Sequence, residues 1–422
     1  MAHVIVVGAS VGGSIAADTL RDLGIEVTLL ERDLNYIKPC GGAVPPLAFS
    51  EYNLPESLID RKVSIAVVAS PRTITEFPVV STRPSNQDFI AMVRREIFDR
   101  YIRDRAVSKG AHLIEGKLNA LEVTASGVRV TYADRAQHEH VIQGDAIIGA
   151  DGAYSTVARL LGLERLDMAV AYQERIMLPE AAMKHWQNRA AIYLADEVSP
   201  DLYAWVFPKY DHVAAGIGAG AGHTKQARQL LANLKTRLRD YLGEGSTIKF
   251  EAHHLPMHPR KVLSYDRAAL IGDAAGLVQA TSGEGIYWAM KSAEMAARAI
   301  AKHIEAPTAA NLRKSYDRPW WKRFGATYTF LQFLQRISYN SDVQREIFAK
   351  MCADADVQRL TFDSYLSKQI VPAPWMVQMR MTKNWLTTAG KILIESRAKP
   401  WRQDPTWGKT TGAAPKLGSE IE

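Results

Sequence analysis

Several short clusters in this chain combine residue types that can hold a nucleotide or move a proton. Gly8-Ala-Ser-Val-Gly-Gly13 follows the apolar run Val4-Ile-Val-Val7 and precedes Ile15, Ala16, Leu20 and Leu23, which recur at helical spacing. In a strand, turn and helix of this kind the first glycine makes the tight turn and the second lets backbone approach a pyrophosphate. The third lets the helix pack on the strand, and the phosphate sits at the helix N-terminus. Gly8 and Gly13 fill the first and third places, whereas Ser10 fills the second, with Gly12 adding back some backbone freedom. Glu31 closes the next apolar run, Val27-Thr-Leu-Leu30, where a carboxylate accepts ribose hydroxyls and disfavours a 2′-phosphate. The nucleotide expected in this fold is therefore FAD or NAD and not NADP.

A second set lies far along the chain. Ala268-Ala-Leu-Ile271 reads as a buried strand, and Gly272-Asp273-Ala-Ala-Gly276 behind it sets a carboxylate among small residues, which suits the ribityl and pyrophosphate end of a flavin. Gly283-Glu-Gly285-Ile286 can open a helix whose positive end meets the flavin N1/O2 edge, where reduced flavin carries negative charge. Asp273 alone could equally be a helix cap. This segment tips the nucleotide to FAD, and the order of the Gly8 turn, Arg95, Gly149-Ala-Asp151-Gly152 and Gly272-Asp273 argues against a purely structural role. Arg95 also reads as a solvated charge opening an amphipathic helix.

Cys40-Gly-Gly42 lets the chain bend close to a ligand, and a small buried thiol is the plain alternative. Tyr203, Trp205 and Phe207 alternate, so a strand would put all three on one face, either as core or as the wall of a site. Cys352 reads as packing. His253, His254 and His258 flank a Pro-rich connection with no carboxylate or cysteine at ligand spacing, which places them on a loop or surface and predicts no metal site.

These positions need a scaffold, and the chain can supply one. It has 422 residues, 47% hydrophobic and 23% charged, which excludes a disordered or fibrous chain. At this length about three quarters of the unfolded surface can be buried, in roughly two to three domains. The fold expected is α/β with α+β character. A discontinuous Rossmann-like FAD-binding domain takes 1–165 plus 256–305, and an inserted antiparallel-sheet substrate domain takes 166–255. A helical C-terminal region follows over 306–398, then a poorly ordered polar tail over 399–422. No apolar run approaches the ~20 residues of a membrane span, and the first residues read as a strand and not a signal peptide. The expectation is a protein kept inside the cell. Two cysteines, Cys40 and Cys352, exclude a disulfide framework.

Pro39-Cys-Gly-Gly-Ala43, Pro200-Asp-Leu-Tyr203-Ala-Trp205-Val-Phe207-Pro208 and Gly272-Asp-Ala-Ala-Gly276 through Ser282-Gly-Glu-Gly-Ile286-Tyr287 resemble the geranylgeranyl reductases of chlorophyll and bacteriochlorophyll synthesis. These form a branch of the flavoprotein superfamily that includes flavin hydroxylases. Asp356-Val-Gln-Arg-Leu-Thr-Phe-Asp-Ser-Tyr365-Leu resembles the same branch, so the likeness runs over about residues 3 to 395. The resemblance implies an FAD enzyme that saturates double bonds of a geranylgeranyl group toward phytyl, on the diphosphate or on the pigment ester. NADPH is the implied electron donor, with reduced ferredoxin as the alternative. The resemblance further implies that Cys40 delivers or relays a proton and that Arg95 contacts the flavin. Tyr203, Trp205 and Phe207 would line the isoprenoid path and stabilise developing positive charge. An unactivated trisubstituted alkene accepts hydride poorly, so protonation must precede or accompany hydride transfer in a site that excludes water. Two other readings remain open: an FAD-dependent aromatic hydroxylase, and a flavin-free prenyl-pigment binding protein in which Ser10 marks a lost cofactor site.

The net charge of +7 is local. Residues 300 to 422 hold 19 Lys and Arg against 11 Asp and Glu, which leaves 33 against 34 for the rest. Trp320, Trp321, Trp375, Trp385, Trp401 and Trp407 fall in that same stretch. Basic, Trp-rich helices suit anionic lipid, and no motif supports nucleic-acid binding. The expectation is peripheral association with the cytoplasmic side of photosynthetic membranes, beside partners of the chlorophyll-synthase type. A solvated helical face is the plain alternative.

Overall fold

Apolar runs rich in β-branched residues can be buried on both faces, as in parallel sheets flanked by helices. Val4 to Val7, Val27 to Leu30 and Ala146 to Ile148 are such runs, and a computed structural model of the chain sets them at the centre of a six-stranded sheet. The structure describes residues 2–79, 88–279, 281–368 and 370–398. The expected polar tail, with Trp401 and Trp407, lies outside the described residues.

The sheet order is Ser264–Tyr265, Ala268–Leu270, Ala146–Gly149, His3–Val7, Glu26–Glu31 and His112–Glu115, parallel except for the first pair. His3–Val7 pairs with Glu26–Glu31 on one side and with the much later Ala146–Gly149 on the other. That reversal opens a crevice at the carboxyl ends of the strands, where ligands of open α/β sheets bind. Helix α1 (Val11–Asp22) covers the sheet and packs against α2 (Arg95–Ser108) and α3 (Ile286–Lys302).

A second sheet runs Ser246–Pro256, Met168–Met177, His212–Ala219, Ala204–Pro208, Arg189–Tyr193, Ile65–Ala69 and Ile74–Pro78. It is antiparallel except where Arg189–Tyr193 meets Ile65–Ala69. The sheet is thus wider than the 166–255 stretch, because 65–78 adds two strands at its edge. No local signal marks that pairing, which depends on an edge made more than a hundred residues later. Ala204 and Val206 face a core closed by Leu230, Leu231 and Leu234 of the Ala227–Arg237 helix.

The C-terminal region is helical: α4 (Arg318–Tyr339), α5 (Asp342–Met351), α6 (Ala355–Ser367) and α7 (Trp375–Ala398). Tyr339, Ala349 and Cys352 seat it on Ala66, Val68 and Phe77 of the second sheet. Parallel and antiparallel sheets with a helical C-terminal region make the mixed α/β architecture expected from sequence. The tryptophans of that region do not act alike. Trp320 is 0% exposed, its ring packed among Trp288, Phe324 and Tyr328. It belongs to the core because α4 lays its first turns against α3. Trp375 is 67% exposed and Trp385 44%. Among the described residues no helix is long and apolar enough to cross a membrane.

Candidate active site

A cavity of about 1220 Å³ begins at the crevice of the six-stranded sheet, passes the Cys40 loop and reaches the C-terminal helices. Its nucleotide end is made of backbone. Gly8 has φ +102, and a Cβ there would stand 2.4 Å from Ala150 O, so only glycine allows the turn. Glu31 Oε2 accepts from Ala9 N at 2.7 Å, which fixes the carboxylate beside the turn. Ser10 Oγ donates to Asp99 Oδ2 at 2.7 Å and accepts from Arg95 Nη2 at 3.0 Å. Arg95 is buried and paired with Asp99, so it is not the solvated charge that its place at a helix start also allowed.

Not every expected cofactor residue faces the cavity. Gly13 and Gly276 stand behind its wall: a Cβ on Gly13 would lie 1.7 Å from Gly8 O, and one on Gly276 2.4 Å from His258 O. At both, backbone passes too close for a side chain. Asp151 and Gly152 border the cavity, but both Asp151 oxygens are engaged. They accept from Ser155 Oγ at 2.6 Å and from Thr156 N and Val157 N at 2.6 and 3.0 Å, capping a short helix.

Gly272 and Asp273 line the cavity, as do Gly283, Gly285 and Ile286 at the start of α3. Burial alone would raise the Asp273 carboxyl, but Lys38, in direct ion contact, and His253 at 3.5 Å hold it well below the usual carboxylate range. His253 and His254 therefore lie on the Ser246–Pro256 strand and not on a loop, since the pairing with Met168–Met177 runs to Pro256. Burial pushes His253 toward its neutral form, and Lys38 acts the same way. The 281–285 loop is clamped from below by Tyr203, whose hydroxyl donates to Ser282 O, and by Tyr339, whose hydroxyl donates to Thr281 O at 3.0 Å. Lys368, 1% exposed, donates to Glu284 Oε2 at 2.9 Å.

Between the two ends, Tyr203, Trp205 and Phe207 form one wall, with ring centroids 5.9 and 6.4 Å apart. Tyr203 stands one residue before the Ala204–Pro208 strand. Gly41 touches this wall, where a Cβ would meet Phe207 at 2.8 Å. The cavity also takes in Cys40, and Gln173 Nε2 donates to Cys40 O at 3.3 Å. Beyond the wall the lining turns apolar, with Phe330, Leu334, Met351, Leu360, Met381 and Trp385 drawn from α4 to α7.

The family model described as an FAD binding domain matches residues 1–320. The geranylgeranyl diphosphate reductase of Synechocystis sp. is 43% identical over 410 residues, covering 94% of this chain and 99% of that protein. This chain belongs to the flavin-dependent geranylgeranyl reductase family. The geranylgeranyl diphosphate reductase of Rhodobacter capsulatus is 33% identical, covering 86% of this chain and 91% of that protein. A geranylgeranyl bacteriochlorophyll reductase-like protein from Thermoplasma acidophilum shares the fold at a TM-score of 0.71 and 20% identity, covering 94% of this chain and 99% of that one.

The family cofactor is FAD, and the residues present fit it. The glycine turn leaves a backbone cradle at the N-terminus of α1. The indole N–H of Trp205, beside the Gly41 backbone, is buried without an acceptor among the described residues, an orphaned donor in the wall of the cavity. Lys38, Gln173 and Lys368 are not marked by sequence reasoning, and His253 is expected there only on a loop or surface. Each is a single polar residue in an ordinary setting, and only burial against a partner from another element marks it. The strand period around His253 was the one signal available.

Proposed function

We propose that this chain uses bound FAD to saturate double bonds of a geranylgeranyl group, on the diphosphate or the (bacterio)chlorophyll ester, toward phytyl. The observation that carries this reading is the continuity of the cavity, from a nucleotide cradle past a thiol and an aromatic wall to a lining of apolar side chains. When bound, FAD supplies the hydride chemistry. The protein residues then have separate tasks. The α1 N-terminus and Glu31 hold phosphate and ribose, while Asp273, fixed by Lys38, takes the ribityl end. The apolar lining excludes water and extends the tail, and the faces of Tyr203, Trp205 and Phe207 stabilise positive charge developing on the alkene carbon. Burial pushes the Tyr203 phenol up, which keeps it a neutral donor to Ser282 O. Cys40 delivers the proton.

NADPH is the donor we assign to the reductive half, binding transiently at the same cavity. We also assign α7 to the surface of a photosynthetic membrane, on the cytoplasmic side, where an enzyme of the chlorophyll-synthase type would hand over pigment. Exposed Trp375, Met376, Met379, Leu386 and Ile394 support this, with Lys383 and Lys391 along the same helix. The test is direct. Reduced holoprotein is mixed with geranylgeranyl diphosphate or geranylgeranyl-chlorophyll, and the tail is read by mass. Addition of hydrogen pairs toward phytyl is expected, and unchanged tails with both substrates would overturn the proposal.

A further inference from the structure

A peptide group links its carbonyl oxygen and its N–H in one resonance-coupled unit, and hydrogen bonds in series polarise one another. The Gly41–Gly42 peptide has a partner at each end. Its carbonyl oxygen, on Gly41, accepts from Lys209 Nζ at 2.6 Å, and its N–H, on Gly42, donates to Cys40 Sγ at 3.3 Å. Lys209 is 3% exposed, and the other neighbour of its ammonium is Met92 Sδ at 4.0 Å. A buried ammonium that donates to a carbonyl, with no salt bridge among the described residues, is costly, offset here by that bond and by the facing Cys40 and Asp60.

The geometry around this unit is held on all sides. Gly42 has φ +67, and a Cβ there would lie 2.2 Å from Val93 O, so no other residue keeps this N–H aimed at the sulfur. Val93 N donates to Gly42 O at 2.8 Å, and Gln173 holds Cys40 O. Lys209 is fixed in turn, since its backbone N donates to His212 O at 2.7 Å across a tight turn between strands, and Arg61 Nε donates to its carbonyl at 3.1 Å.

We propose that Lys209 is a positioning residue that acts on Cys40 through the Gly41–Gly42 peptide. Its charge draws electron density to the Gly41 oxygen, strengthens the Gly42 N–H as a donor and stabilises the sulfur as it loses its proton. This rests on the reading of Cys40 as proton source. In that step the Cys40 S–H bond breaks and its proton forms one new C–H bond on the alkene. The hydride forms the other, and a proton from solvent restores the thiol afterwards.

Lys209 shares the neighbourhood of Cys40 with other charges. Asp60 and Glu96 face it, but each already pairs with an arginine, Arg94 and Arg175 respectively. Arg175 and His212 also face it, Tyr203 faces Cys40, and Arg95, paired with Asp99, lies within hydrogen-bond reach of the Cys40 side chain, a direct charge that is the same in every Lys209 variant. Burial pulls the Lys209 ammonium down to about 8, with Cys40 and Asp60 acting to keep it charged. The effect on the thiol is therefore present at neutral pH and fades above about 8 as Lys209 loses its proton.

The test reads the sulfur itself. Iodoacetamide alkylation of Cys40 in FAD-loaded protein, followed by peptide mass against pH, is compared among wild type, Lys209→Met, Lys209→Gln and Lys209→Arg. For Met and Gln the midpoint should move up by about one pH unit, the size of one charge-assisted bond, with Arg closer to wild type. Alkylation of buried Cys352 should not move. An unchanged Cys40 midpoint in every variant that loads FAD overturns the inference. So does failure of all three to load FAD, since Lys209 would then be a scaffold residue. Single-turnover tail reduction by Cys40→Ser separates the two readings. Undiminished reduction sinks Cys40 as proton source and leaves the alkylation shift standing, whereas an unmoved midpoint sinks only the role of Lys209.

Discussion

The two ends of the cavity are built by opposite means. The nucleotide end is backbone and glycine, with the Gly8 turn, Glu31 and the start of α1 all lying within the first strand, helix and strand. The tail end is side chain, taken from four helices and the second sheet. An end made of close backbone approaches tolerates no added atom, because neither partner can give. An end made of apolar side chains tolerates most single changes of similar volume, because neighbours repack. On the proposed function, the cofactor would be held by geometry and the tail by shape and exclusion of water.

That contrast can be broken most decisively at Gly13. Gly13→Val would force backbone apart, and purified protein should carry almost no flavin absorbance; a yellow, stoichiometrically loaded variant would end the comparison. Leu334→Met at the other end should keep its flavin. Next is the join between the ends. Lys368→Met strands the Glu284 charge and should cost about 3–5 kcal/mol in chemical unfolding, with Glu284→Gln in the same chain recovering most of it. Equal stability of the single variant would mean that Glu284 is solvated there.

Cys40→Ser should slow tail reduction by about a hundredfold, the scale of a lost general acid, while flavin content stays at wild type. Activity at the wild-type level would remove the thiol from the chemistry. Acid titration probes the nucleotide end again. The Asp273 carboxyl is held below its usual value, so its pairing stabilises the fold fully above the unfolded value of about 4 and is lost as pH falls through and below it. Asp273→Asn should lose stability less steeply in that window, and parallel curves would argue against the pairing. The smallest effect is expected at the surface: Trp375→Ser should change stability by no more than about 0.5 kcal/mol yet weaken binding to anionic vesicles. Unchanged vesicle binding would point to a purely solvated helix.

Legibility followed the same division. The turn at Gly8, Glu31 and the Gly272-Asp273 segment could be read because their spacing is local and their chemistry repeats wherever a helix N-terminus meets a phosphate. Ser10 looked like a defect in that turn, yet its hydroxyl belongs to the Arg95 and Asp99 pair, contributed by α2. Asp151 had the right residue type in the right order but spends its oxygens on a cap. Trp320 counted toward a basic aromatic surface until α3 covered it. In each case the residue was visible and its partner was not.

The sequence by itself determined the strand and helix order, the nucleotide turn and the alternation of Tyr203, Trp205 and Phe207, since these depend on residue spacing along one element. Only the tertiary structure decided that Lys209 lies under the Cys40 loop, that Lys368 is locked to Glu284 and that His253 faces Asp273. A buried charge is defined by what surrounds it, and those neighbours come from elements that no local pattern brings together.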